Sequence, residues 1–183
     1  LFIITKQGFE IYEANYGFPY PFRKYDQIFC PEYNAGAMEH PGNVTLVESY
    51  VFRTKPTGAI IDRRIITILH EQAHMWFGDL VTMKWWDDLW LNESFAEYMS
   101  HLAAVEYTRM SDAWVTFLAS EKSWATTEDQ LPSTHPIAAD MSDLEKVELN
   151  FDGITYAKGA SVLKQLVAWV GQAQFMAGLN RYF

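Results

Sequence analysis

His70-Glu71-Gln72-Ala73-His74, followed nineteen positions later by Glu93, constrains the fold more than any other feature of this 183-residue chain. On a helix, positions i and i+4 lie about 40° apart around the axis, so both imidazoles point the same way. The stretch Ala59 to Leu69 runs into the motif with apolar residues at helical spacing. A second apolar-rich helix is expected from about Leu89, carrying Glu93, and the segment between leaves room for a loop and a return. Two packed helices would then bring two imidazoles and one carboxylate together. That donor set leaves a fourth position open to water, which is the catalytic rather than the structural arrangement of zinc. The expected cofactor is one Zn2+ per chain, held by His70, His74 and Glu93. Glu71 is left free to act as general base on the water at the open position.

The net charge of −9 argues against nucleic acid as a partner. An acidic surface around a cleft draws in cationic groups instead, such as a free peptide amine. The one cysteine, Cys30, excludes an internal disulfide framework and is read as buried and inert. No uncharged apolar run approaches the roughly 18 residues of a membrane span, and no signal peptide is read. The chain begins at Leu1 already in an expected helix and stops at Phe183 without a stop signal, so it reads as part of something longer. Cytoplasmic residence is the expectation; no feature of the sequence sets an oligomeric state.

Leu1 to Tyr16 reads as a helix ended by Gly17. Gly17 to Phe22 reads as a rigid aromatic turn, and Tyr25 to Phe29 as a short strand. A glycine-bearing loop at 34–42 leads to a strand over Asn43 to Phe52, expected at a sheet edge, with Val44, Leu46, Tyr50 and Phe52 on one face. The motif helix runs to about Phe77, and a loop covers Gly78 to Asp88. Further helices are expected over 89–107, 111–123 and 158–170, with 126–150 irregular apart from a helical turn. The fold class is α+β, with a mostly helical second half.

Three separated motifs in order then become specific. Gly36-Ala37-Met38-Glu39-His40 precedes the motif helix, Leu89-Trp90-Leu91-Asn92-Glu93 and Phe95-Ala96-Glu97-Tyr98 follow it, and Tyr156-Ala157-Lys158-Gly159-Ala160 comes last. Together they resemble the gluzincin aminopeptidases of the M1 family, the aminopeptidase N type, from about Tyr12 to Val170. The resemblance implies a thermolysin-like zinc peptidase catalytic domain, a small sheet lobe over a helical lobe. Residues 1–183 would be one fragment of it, without the family's preceding β-rich domain or following helical domain.

The resemblance also implies roles. Glu71 takes a proton from water and passes it to the leaving amine, and Tyr156 donates its hydroxyl to the oxyanion. Glu39 pairs with the substrate's α-ammonium, restricting action to peptides with a free N-terminus. Gly36, Ala37 and Met38 line the substrate's path, and the strand after them is read as able to pair with an extended peptide. Glu97, one turn after Glu93, is placed to orient His70 or His74. The family's loop reads Gly-Ala-Met-Glu-Asn, whereas His40 stands last here; Ala35 before it suggests a roomy pocket for the first side chain. His101 and His135 read as surface or loop histidines, and Trp85, Trp86 and Trp90 as packing. The rival readings are a thermolysin-like endopeptidase, for which Glu39 would be an obstruction, a lipid-epoxide hydrolase, for which no lipid pocket is seen, and a non-catalytic peptide-binding module. Without neighbouring domains, the fragment is expected to bind zinc but turn over poorly.

Overall fold

A computed structural model describes all residues, 1–183. The first helix, α1 (Phe2–Tyr16), ends where Gly17 adopts φ 64° and gives its N–H to Glu13 O. Such a left-handed cap is favourable for a residue with no Cβ. One face of α1 buries Ile11, Tyr12 and Tyr16 completely. It packs on the motif helix α2 (Gly58–Ala73), where Tyr12 Oη donates to Leu69 O at 2.7 Å and Gln72 Nε2 to Thr5 O at 2.9 Å. The Gly17–Phe22 turn is packed as expected. Tyr20 meets Phe9, Phe22 and Trp76 edge to face, and Trp76 Nε1 donates to Phe18 O.

Three short strands form one sheet: β1 (Asp26–Cys30), β2 (Ala37–Met38) and β3 (Asn43–Val47), in the order β1-β3-β2. β1 runs parallel to β3, from Asp26↔Asn43 to Cys30↔Val47, and β2 is antiparallel to it. This corrects the edge position expected for the strand after the glycine loop. β3 is the central strand, and the free edge near the cleft belongs to Ala37 and Met38. The strand also stops at Val47 rather than Phe52. Glu48 to Tyr50 turn instead as a single 3₁₀ coil, because Tyr50 is tied to α2: its carbonyl accepts Arg64 Nη1, and its hydroxyl meets Thr67 Oγ1 at 2.8 Å.

Thr57 caps α2 by accepting from Ile60 N, and every residue from Ile65 to Ala73 is buried. The helix returns as α3 (Trp90–Tyr107), buried from Asn92 to Ala104 except Phe95, which is half-buried. Expected helix 111–123 is two helices, α4 (Ala113–Ala119) and α5 (Glu121–Asp129), broken at Ser120 (φ −107°, ψ −71°). The break lets α5 turn toward the cleft, where Glu121 meets Arg63 at 2.7 Å. Part of the stretch read as irregular is therefore helical, as is α6 (Leu144–Leu149), which Asp143 caps by accepting from Lys146 N.

The expected 158–170 helix is α7 (Gly159–Val170), preceded by a π turn over Ile154–Lys158. A last helix, α8 (Gln172–Tyr182), was not foreseen; its buried Phe175, Met176 and Leu179 join the core, and Asn180 Nδ2 donates to Tyr16 O. The α+β class with a small sheet and a mostly helical remainder is what the structure has. No helix is long and apolar enough to cross a membrane. Three expectations about single side chains need correcting. His101 is 1% exposed, packed against Trp114 and Phe117 on α4. Trp85 is 56% exposed, standing at the cleft rather than packing in the interior, and Cys30 on the outer strand is only half-buried.

Candidate metal centre and cleft

The C-terminal turns of α2 and the first turn of α3 set three ligand atoms in a near-equilateral triangle. His70 Nε2 and His74 Nε2 are 3.1 Å apart, and Glu93 Oε2 lies 3.3 Å from the first and 3.2 Å from the second. The far nitrogen of each ring is directed elsewhere. His74 Nδ1 donates to Phe77 O at 2.9 Å, and His70 Nδ1 faces Glu97 Oε2 at 3.2 Å. In the neutral rings, both Nε2 atoms therefore present lone pairs to each other and to a carboxylate. Three buried acceptors at this separation repel unless a cation lies among them. Ligand atoms about 2.0–2.1 Å from a tetrahedral zinc stand about 3.3 Å from one another. The donor set and the triangle both fit zinc.

The protonation of these groups reflects the same crowding. Burial disfavours the charge on His70, but Glu93 and Glu97 outweigh it and raise its pKa to about 9. For His74, burial is likewise outweighed, by Glu39 and Glu93, and its pKa rises well above the ordinary value. Burial pushes Glu93 up, yet the two imidazoles overcome it and keep the carboxyl far below the usual range. Glu71, beside His70, is 6% exposed; burial lifts its pKa to about 7, against the pull of His70 and His74. A carboxylate poised near neutrality suits a group that both accepts and returns a proton.

Behind His70, Glu97 is buried and shared: Oε2 meets His70 Nδ1, and Oε1 lies 3.4 Å from His101 Nδ1. His101 Nδ1 donates instead to Glu97 O, one turn back on α3, so Glu97 Oε1 is buried without a hydrogen-bond partner. Of the two histidines of the triangle, Glu97 meets His70 and not His74. We expect Glu97→Ala to weaken zinc binding about 10- to 100-fold, measured by competition against a chromophoric chelator. Unchanged affinity would show that His70 is oriented without Glu97.

A cleft of about 830 Å³ opens over the triangle. Gly36, Ala37, Met38 and Glu39, from the free edge of β2, line it together with His70, Glu71, His74, Glu93, Glu97 and Tyr156. All the residues singled out from the sequence thus meet in one place, while His40 is exposed outside the lining. Glu39 Oε1 lies 3.8 Å from His74 Nδ1, whose proton is already committed to Phe77 O. No lysine or arginine pairs with Glu39. Tyr156 stacks on the His70 ring, centroids 5.8 Å apart and planes 9° off parallel. Burial, then the charges of Glu93, Glu39 and Glu71, raise its phenol well above the ordinary pKa, so it stays a hydrogen-bond donor.

Sequence reasoning missed Arg63, Glu121 and Trp124, which also line the cleft. Arg63 stands two helical turns before His70 on α2, so helical spacing could have found it. Nothing local marks Trp124, which reaches the cleft only because α5 breaks from α4.

Comparison with known proteins places the chain in context. The Peptidase family M1 domain matches residues 2–183. An aminopeptidase N of Streptomyces lividans is 58% identical over 185 residues, covering 100% of this chain and 22% of that protein. The tricorn protease-interacting factor F2 of Thermoplasma volcanium is 43% identical, and a leucyl aminopeptidase of Saccharolobus solfataricus 41% identical, each over 98% of this chain and 23% of the relative. The chain spans less than a quarter of the length of these relatives.

Proposed function

The chain belongs to peptidase family M1, and from that premise we propose that it forms the thermolysin-like catalytic domain of a zinc-dependent aminopeptidase. The observation that carries this reading is the triangle of His70, His74 and Glu93 opening into a cleft that also holds Glu39, which no lysine or arginine neutralises. In the proposed architecture, a β-rich domain precedes this one and a helical domain follows it.

When bound, zinc supplies Lewis-acid polarisation of the scissile carbonyl and makes water acidic enough to be deprotonated near neutral pH. Glu71 accepts the proton of the attacking water and delivers it to the nitrogen of the leaving amine, so the C–N bond breaks to a neutral amine. Tyr156 donates its phenolic hydrogen to the carbonyl oxygen as negative charge develops there. Glu39 receives the substrate's α-ammonium, which sets the scissile bond one residue from the N-terminus. The edge of β2 offers Ala37 and Met38 backbone groups to an extended chain. Glu97 keeps the His70 ring turned with Nε2 toward the triangle.

The test compares an aminoacyl anilide bearing a free amine with its N-acetylated form, on the protein that carries this domain. Loss of the ammonium removes a charge-assisted contact, and kcat/KM for the blocked form is expected to fall about ten- to a hundredfold or more. Equal cleavage of both forms would refute the role of Glu39 and point to an endopeptidase with an open-ended cleft.

A further inference from the structure

Tyr156 sits on a π turn, a rare conformation that occurs mostly as single turns and often at functional sites. One carboxylate reaches both the start of that turn and the ring beside Tyr156. Glu128, on the last turn of α5, accepts Gly153 N–H through Oε2 at 2.6 Å, just where the π turn opens. Its other oxygen, Oε1, accepts Trp124 Nε1–H, also at 2.6 Å. The Trp124 ring in turn packs against Tyr156, centroids 6.1 Å apart. Both acceptor atoms are thus committed, one to the backbone that launches Tyr156 and one to the indole beside its ring. A Cβ on Gly153 would come within 2.9 Å of the Ala125 backbone and of Glu128 Oε2, so glycine is what lets α5 approach closely enough for the bond. Glu128 does not line the cleft, so it can act only through the groups it holds.

We propose that Glu128 is a positioning residue for Tyr156, setting the phenol against the reacting carbonyl by fixing both Gly153 N–H and the Trp124 indole. This rests on the reading of Tyr156 as the oxyanion donor. A misplacement of about 1 Å in such a donor can cost on the order of a hundredfold in rate.

The experiment is a double-mutant cycle on the intact enzyme, with kcat and KM measured separately and zinc content determined by mass spectrometry. Glu128→Ala is expected to lower kcat about ten- to a hundredfold with KM nearly unchanged and zinc retained. Tyr156→Phe is expected to lower kcat about 10²- to 10³-fold. Adding Glu128→Ala to Tyr156→Phe should cost little more, because the positioned hydroxyl is already gone. Trp124→Phe, which keeps a ring but loses the N–H, should fall between wild type and Glu128→Ala. The same factor lost in both backgrounds would overturn the proposal, since Glu128 would then act independently of Tyr156; so would wild-type turnover in Glu128→Ala. If the alanine variant does not fold, Glu128→Gln decides by the same cycle, because its single carbonyl oxygen can serve only one of the two N–H groups. Near-normal turnover in Tyr156→Phe alone would refute the oxyanion role itself, separately from any result at Glu128.

Discussion

Replacing Glu71 with glutamine should reduce kcat about 10²- to 10⁴-fold while zinc stays bound. Glutamine has the same size and reach but cannot take a proton from water or return one to the leaving amine. The three ligand atoms lie on other residues, so the triangle survives the exchange. Folding should survive too. Burial already disfavours the charged form of Glu71, so a neutral amide at that position removes no favourable ionisation. Steady-state kinetics with zinc analysis on the same preparation makes the test. Turnover within about tenfold of wild type would remove Glu71 from the proton transfers.

Chelation of the metal should abolish turnover and lower Tm, with both restored by added zinc. A metal that binds only the folded state stabilises it by about 4 kcal/mol when free metal exceeds Kd a thousandfold. Removing it leaves two imidazole lone pairs and a carboxylate facing one another in a buried site, and protons must substitute. The substitution predicts a pH signature. In the metal-free protein, His70 has its pKa raised from 6.5 to about 9. A raised pKa means that the folded state holds the proton more tightly. The resulting stabilisation is present in full below about pH 6.5 and is lost as pH rises through about 9, an effect on the order of a few kcal/mol. The chelated protein should therefore melt at progressively lower temperature between those pH values, whereas zinc-loaded protein, with its imidazoles neutral, should not show this loss. Thermal melts of both forms across pH 6–9.5 test it. A chelated protein with unchanged Tm and no alkaline loss would show that the triangle is not a metal site.

The helices that build the triangle were legible because their signals are local. Apolar spacing from Ala59 to Leu69 marks α2, and it is a property of neighbouring residues. The same holds for α1 and its Gly17 cap. Where the reading failed, a distant partner overrode the local pattern. Alternation favoured a strand through Phe52, but Tyr50 is taken by Thr67 and Arg64 on α2. The helix from 111 had no proline or glycine to stop it, yet α5 turns away at Ser120 to join Arg63 and the π turn. His101 gave no sign of burial, because its burial depends on the ring faces of Trp114 and Phe117 and on a carboxylate one turn back.

The sequence alone singled out the candidates for the metal: the four-residue spacing puts His70 and His74 on one helix face, and Glu71 and Glu93 are legible by identity, while the packing of α3 on α2 brings Glu93 to the two imidazoles. It also pointed to Tyr156 through a family resemblance alone, and to Glu39 through that resemblance and its place in a glycine-bearing loop before a strand. Only the tertiary structure decided that the free sheet edge beside the cleft is Ala37–Met38 and that Glu97 serves His70 rather than His74. It alone brought Tyr156, eighty-six positions from His70, onto that ring by way of α5 and Glu128. Helical periodicity is set by backbone geometry within a few residues, whereas edge position, carboxylate pairing and the seating of a π turn are set by packing between segments that are close only after the chain has folded.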